Sequence, residues 1–453
     1  MSSEEQKYKN VIKILDSVSP SFCLAKWHQL TLYLQNGFNH SCHHPSPHKV
    51  PLDELTVNYK ALHNTKFKKQ QMQKMIDGER PSECDYCWKA EDSGHISDRV
   101  YKSASSWAKI NFDSVLKNKT EDVNPAYLEI SFSNVCNFKC AYCSPDLSSQ
   151  WFDEIKTHGP YPTSQNHNNF DWFRQTGKMP IKHTDHNPYV EAFWKWWPEL
   201  YSSLHTLRLT GGEPLLSKDA WRMLDYIEEN PNNELVFAIN TNLCVPDELV
   251  DKLILKIQNI SKNAKEFQFF TSGEAMGSPA EYIRYGLDYN KWSVNLEKVL
   301  SNTNVIVAIM TTVNLTSVTT YSDFIRYILD LRGKYNVGAT FNKVQFMTNF
   351  LRYPEFLSLT LLDANTKERF TADIEHLILE RGVWDGYATL TFSEVDQLRR
   401  MIDYMNLSVD NIKLNSLRAD FKLFVDEYDN RRNTNFIETF PELTTFYKLC
   451  NET

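Results

Sequence analysis

Ser131-Phe-Ser-Asn-Val-Cys136-Asn-Phe-Lys-Cys140-Ala-Tyr-Cys143 is the stretch on which the reading of this chain turns. It sets three cysteines in a C-x3-C-x2-C spacing, directly after a strand predicted over residues 127–132. Three thiolates this close can hold three corners of a cuboidal iron–sulfur cluster. No fourth cysteine is adjacent, so one iron would stay open to an outside ligand, much as a catalytic zinc site keeps one position free. Three cysteines alone also suit a zinc knuckle, so a second motif is needed. Residues 205–210 read as a short strand running into Gly211-Gly212-Glu213-Pro214. Two glycines permit close backbone approach, and a carboxylate complements an ammonium group. Alone, such a segment is more often a strand–helix turn than a site.

Together and in this order, the two motifs resemble the radical S-adenosylmethionine (radical SAM) superfamily, whose cysteine loop carries an aromatic residue before its last cysteine, here Tyr142. The resemblance implies that Cys136, Cys140 and Cys143 hold a [4Fe–4S] cluster with one open iron. That iron chelates the amino and carboxylate groups of SAM, and Gly211, Gly212, Glu213 and Pro214 hold the amino group. One-electron reduction then cleaves SAM to methionine and a 5′-deoxyadenosyl radical, which abstracts hydrogen from a substrate. A reductant such as flavodoxin or ferredoxin is implied as partner.

Composition agrees with a folded enzyme. The chain has 453 residues, 42% hydrophobic and 13% aromatic, enough for two or three domains with full cores. A formal net charge of −8 argues against a protein built to grip nucleic acid, and the basic run Lys66-Phe-Lys-Lys reads as a solvated helix face. No apolar run reaches membrane-span length, and residues 1–10 lack the pattern of a secretory signal. Nine cysteines in such a chain point to metal or cluster binding before disulfides, and a cytoplasmic location is expected.

Towards the N-terminus, a short helix is predicted over residues 11–18. Alternating residues on either side of Asn36-Gly37 then predict a β-hairpin with a two-residue turn, gathering Cys42 towards Cys23. Farther on, Cys84-Asp-Tyr-Cys87-Trp88 supplies a C-x2-C pair, followed by Glu91, Gly94, Ser97 and Arg99. Over residues 21–100 this arrangement resembles the twitch domain, related to the larger SPASM domain. That resemblance implies an auxiliary iron–sulfur cluster held by Cys23, Cys42, Cys84 and Cys87. Such domains mostly follow the barrel, whereas this one precedes it. An all-thiolate zinc site is the alternative, and His43, His44 and His48 keep mixed zinc ligation open.

Residues 144–203 form a long connection rich in aromatics, including Trp151, Trp172, Trp194, Trp196 and Trp197, with a returning helix predicted over 190–204. These aromatics are either core or a lid over substrate. Beyond Pro214, short apolar strands alternate with amphipathic helices, the pattern of a parallel sheet buried on both faces. Six such units make the partial (β/α)6 TIM barrel implied by the family. Strand ends then carry Thr241 and Asn242, Ser272 and Glu274, and Thr312 and Asn314. The resemblance makes these SAM contacts, with Glu274 the candidate to touch ribose or substrate; each could equally cap a helix or turn. From residue 354 the chain is predicted helical, with stripes at Phe370, Ile374 and Ile378, at Val395, Leu398, Ile402 and Met405, and at Leu417, Phe421, Phe424 and Tyr428. Cys244 and Cys450 read as ordinary thiols.

The expected layout is α/β: an N-terminal helix over 1–20, a twitch-like domain over 21–110, the barrel over 120–350 with its 144–203 insertion, and a helical region over 351–453. A peptide or protein is the favoured substrate, by resemblance to relatives carrying twitch or SPASM domains. A small-molecule dehydrogenase or isomerase is the runner-up, and a non-enzymatic metal-binding adaptor is the third reading.

Overall fold

A computed structural model describes residues 3–109, 112–117, 121–338, 341–382 and 387–451. The expected domain edges at residues 110 and 120, and the extreme ends of the chain, lie outside them. The described residues pack into two units, and these cut across the layout expected from sequence. One takes residues from 1–133, 177–211 and 232–238, the other from 134–176, 212–231 and 239–453.

The first unit begins with the helix Ser3–Asp16, longer at its start than the 11–18 expected. Its sheet runs in the order His48–Lys49, Phe38–His40, Gln29–Tyr33, Tyr127–Ser131, Thr206–Thr210. The last three strands are parallel, and the hairpin on the other side is antiparallel. Register places Leu30 beside Leu128 and Leu128 beside Leu207; Leu32, Ile130 and Leu209 form a second row. All six side chains are buried. At about 25 cal/mol per Å2 of apolar surface removed from water, such rows are what hold parallel strands together. The strand preceding the cysteine loop thus pairs with the first strand of the N-terminal hairpin.

The hairpin turn differs from expectation. Tyr33 lies opposite Phe38, so four residues, 34–37, form the connection instead of Asn36-Gly37 alone. The backbone of residues 34 and 35 is engaged elsewhere: Leu34 N donates to Ser131 O and Gln35 O accepts from Ile181 N. Gly37 retains its positive φ of 67°, and a Cβ there would sit 2.1 Å from the Tyr189 ring.

In the second unit, Glu266–Ser272, Ile306–Val313 and Val344–Phe350 are parallel neighbours. Phe269, Val307 and Val344 form one buried row across them. Helices Asp247–Ile260, Tyr289–Asn302 and Tyr321–Tyr335 alternate with these strands, as the periodicity predicts. The strand Val236–Thr241 begins in the first unit and ends in the second. All three expected C-terminal stripes lie on helices, Ala364–Arg381, Phe392–Met405 and Asn411–Arg432. Thr391 and Glu394 close a capping box on the second of these.

The 144–203 connection is divided between the units. Its first part carries helices Ser149–His158 and Phe170–Gln175 in the second unit; its last part forms Pro188–Tyr201 in the first. Asn187 caps that helix by accepting from Tyr189 N and Val190 N, with Pro188 at its first position. Trp151, Trp196 and Trp197 are fully buried and therefore core; Trp172 and Trp194 are half-buried. Among the described residues no helix is long and apolar enough to cross a membrane.

Candidate active site

Backbone pairing shapes the cysteine loop. Lys139–Cys140 forms a two-stranded antiparallel ribbon with Arg284–Tyr285, Cys140 lying opposite Arg284. Ala141 N extends the pairing to Ile283 O at 2.7 Å. Gly286 makes the close approach possible: its φ is +108°, and a Cβ there would fall 2.8 Å from Asn137 O. The first turn of Ser149–His158 supports the other side. Cys136 N donates to Ser149 Oγ at 3.1 Å, Ser148 Oγ to Phe138 O at 2.6 Å, and Trp151 Nε1 to Cys140 O at 2.8 Å. All three thiols are half-buried, and burial pushes each of them up.

The Gly-Gly-Glu-Pro turn lies directly against this loop. Glu213 N donates to Val135 O at 2.6 Å, and a Cβ on Gly212 would meet that same oxygen at 2.3 Å. Gly211 has a φ of +130° and is equally confined, with Ser131 Oγ 2.8 Å from where its Cβ would stand. Pro214 is buried and opens the short helix Pro214–Leu216. The Glu213 carboxylate accepts from Leu215 N at 3.0 Å and Thr241 Oγ1 at 2.8 Å on one oxygen, and from Asn242 N at 2.6 Å on the other. Burial raises its pKa to about 7, the three hydrogen bonds working the other way. Among the described residues it forms no ion pair. A buried carboxylate without a cation, at the edge of a three-thiol loop, suits an incoming amino group.

The remaining expected contacts divide. Thr241 and Asn242 orient Glu213, and Asn242 Nδ2 also donates to Asn137 Oδ1 at 2.8 Å, tying the strand end to the cysteine loop. Ser272 ends its strand and Thr312 is the last residue but one of its own, both half-buried. Asn314 is used locally: its Oδ1 accepts from Thr316 N at 3.1 Å and Thr316 Oγ1 at 2.6 Å, building a turn. Glu274, the candidate for substrate contact, is 1% exposed and paired with Arg284, whose Nη2 and Nε lie 2.6 and 3.1 Å from Oε2. Tyr142 OH donates to its other oxygen at 3.2 Å. Cys244 is half-buried; its carbonyl accepts from Asn137 Nδ2 at 2.8 Å, and burial moves its thiol up to about 11.

Two arginines beside the loop escaped the sequence reading. Arg284 is one; the other is Arg432, at the end of the helix Asn411–Arg432 that carries the stripe Leu417, Phe421, Phe424 and Tyr428. Its Nη1 donates to Lys139 O at 2.8 Å, while Nε and Nη2 each lie 3.1 Å from the Glu154 carboxylate. Lys139 Nζ and Tyr161 OH also donate to Glu154, both at 2.6 Å. Burial alone would raise Glu154, but Arg432 and these donors hold it down to about 2. The Arg432 guanidinium stacks on Tyr428, 3.8 Å from the ring centre. Neither arginine belongs to a local motif; the only sequence signal for Arg432 is its place on the stripe side of that helix.

In the first unit, Cys23, Cys42, Cys84 and Cys87 line one small cavity together with Lys26, Trp88, Arg99 and Lys102. Burial raises the thiols of Cys42, Cys84 and Cys87 to about 11, 12 and 12. Lys26 is 4% exposed and paired with Glu83; burial disfavours its charge, but Cys84 and Glu83 outweigh that and raise its pKa. Glu91 accepts from Arg99 Nε at 2.8 Å and also from Ser97 Oγ, so the polar residues after the C-x2-C pair brace its helix. His44 Nε2 lies 2.6 Å from Asp98 Oδ2, and His43 Nε2 lies 3.5 Å from the same oxygen. His48 stands apart, against Thr65 Oγ1 at 3.3 Å.

Part of this chain is similar to GTP 3',8-cyclases. Over 118 residues it is 31% identical to the GTP 3',8-cyclase of Klebsiella pneumoniae (strain 342), and over 116 residues 32% identical to that of Vibrio atlanticus (strain LGP32). Each match spans 26% of this chain and 26% of the GTP 3',8-cyclase, so the chain matches about a quarter of these relatives' length. No family model matches the chain. The GTP 3',8-cyclase likeness supports the radical SAM resemblance drawn from the cysteine loop and the Gly-Gly-Glu-Pro turn.

Proposed function

We propose that this chain is a radical SAM enzyme. One observation carries the reading: the cysteine loop and the Gly-Gly-Glu-Pro turn are hydrogen-bonded to each other, and they set a buried carboxylate without an ion-pair partner near the Cys136 end of the three-thiol loop. In this reading Cys136, Cys140 and Cys143 hold a [4Fe–4S] cluster with one open iron. Glu213, aimed by Thr241 and Asn242, accepts from the amino group of SAM, while Gly211, Gly212 and Pro214 keep the backbone close. Ser272 and Thr312 remain for the ribose and carboxylate of SAM. Glu274 acts through Arg284 and Tyr142, not on substrate. The chemistry these groups supply when bound is one-electron cleavage of SAM and hydrogen abstraction by the resulting 5′-deoxyadenosyl radical.

Cys23, Cys42, Cys84 and Cys87 are assigned to a second [4Fe–4S] cluster. Their place around one small cavity supports a shared site, with all-thiolate zinc as the alternative occupant. The substrate is a peptide or protein, by the resemblance to twitch and SPASM domains. The relatives' name favours a second reading, a small molecule such as a nucleotide. A flavodoxin or ferredoxin would deliver the electron. The test is reductive cleavage of SAM by anaerobically reconstituted protein. Replacing Cys136, Cys140 and Cys143 together with alanine should abolish 5′-deoxyadenosine release, and undiminished release would sink the assignment.

A further inference from the structure

Arg284 occupies a position that SAM binding does not explain. Its backbone is strand-paired with Cys140, and the residue is 7% exposed. Nη1 stands 3.9 Å from Cys140 Sγ, within reach of an N–H···S hydrogen bond. The rest of the guanidinium is fixed by Glu274, and its carbon lies 5.6 Å from the centre of the Tyr142 ring. Tyr142 OH holds the other Glu274 oxygen. The result is a three-residue clamp that aims one cationic donor at one cysteine sulfur. A merely structural ion pair has no need to present its free N–H to a thiol.

Iron–sulfur potentials depend on net charge and on hydrogen bonds to the sulfurs. A donor at a ligand sulfur stabilises the more electron-rich reduced state, and a nearby cation acts in the same direction. We infer that Arg284, held by Glu274 and Tyr142, sets the reduction potential of the cluster on Cys136, Cys140 and Cys143. The inference rests on the radical SAM reading above. Arg284 is a positioning and electrostatic residue here, with no contact to SAM or substrate required.

The test is an anaerobic redox titration of the reconstituted full chain, followed by electron paramagnetic resonance without SAM. The signal read is the one missing from the Cys136/Cys140/Cys143 triple variant. Arg284→Gln removes the charge and should lower the potential, cutting the reduced fraction about tenfold at a fixed poise, or 59 mV for one electron. Arg284→Lys keeps the charge and should fall between. Glu274→Gln removes the counter-charge with little change of shape and should move the potential the opposite way. A wild-type potential in Arg284→Gln, or a shift of the same sign in Glu274→Gln, overturns the inference. Should Arg284→Gln fail to load iron, the sign in Glu274→Gln decides alone. A wild-type protein with no such signal would instead fail the radical SAM reading itself.

Discussion

Glu213→Gln offers the sharpest probe of how SAM would be captured. The wild-type carboxyl is buried and titrates near pH 7, because burial outweighs three hydrogen bonds from Leu215, Thr241 and Asn242. Its folded pKa is raised, so the proton leaves only as pH rises through about 7. The SAM amino group needs the ionised form as acceptor. A group with this pKa is about one-tenth ionised at pH 6 and nine-tenths at pH 8, so SAM affinity should rise about tenfold between them. Glutamine keeps one acceptor oxygen but turns an amide nitrogen towards a donor, most simply Asn242 N. Loss of a charged hydrogen bond costs ~1.5–3 kcal/mol, which is a fall in affinity of one to two orders of magnitude at pH 8. The assay is equilibrium binding of SAM to cluster-loaded protein from pH 6 to pH 8.5, with iron content confirmed for each sample. The variant should be weaker and should lose the rise around pH 7. A flat wild-type profile, or a variant that keeps it, would refute the assignment of Glu213.

Three other variants have equally definite expected outcomes. The Cys136/Cys140/Cys143 triple variant should retain about four irons if Cys23, Cys42, Cys84 and Cys87 hold a [4Fe–4S] cluster; a variant lacking Cys84 and Cys87 should still cleave SAM yet fail to complete substrate turnover. Zinc in anaerobically purified, unreconstituted protein would contradict both. Arg432→Met removes the more deeply buried of the two cations on Glu154, which is 4% exposed, and leaves Lys139 and Tyr161 in place, so denaturant unfolding should show a loss of ~1.5–3 kcal/mol at neutral pH. Glu154 has a depressed folded pKa, so its stabilising contribution is present above its unfolded value near 4.5 and is lost as pH falls towards 2. The wild-type and variant stabilities should therefore converge in acid; a gap that stays constant would mean the pair is not its source.

Local groupings were legible in the sequence. Cys136, Cys140 and Cys143 are close in the chain, as are Gly211, Gly212 and Glu213, and the structure brings the two groups into contact through Glu213 N and Val135 O. The helices of the last hundred residues were legible because apolar periodicity and caps such as Thr391 with Glu394 coincide. What could not be read is whatever depends on distant partners. The hairpin turn was misjudged because Leu34 is drawn to Ser131, nearly a hundred residues away. Glu274 reads from sequence as a candidate contact to ribose or substrate because no spacing rule marks Arg284, ten residues on, as its partner. Asn314 carried the same surface signal as Asn242, yet one builds its own turn and the other tethers the cysteine loop. The N-terminal cysteines suggested a separate domain, since strand alternation in Gln29–Tyr33 cannot tell a hairpin edge from a strand flanked on both sides.

The Arg432 anchor also bears on timing. Its contact with Lys139 O reaches back from residue 432 to a loop that ends at residue 143. At a synthesis rate of ~5–20 residues per second, residues 144–432 take roughly 15–60 s to emerge. Throughout that interval the three thiols have left the ribosome without their last brace. Iron delivered then would meet a loop free to bind in the wrong geometry, or to lose its sulfurs to oxidation. The loop is braced only once residue 432 has emerged. On the radical SAM reading, cluster loading would belong after that point, and cells that translate this protein faster than they can supply clusters would accumulate a braced, iron-free form.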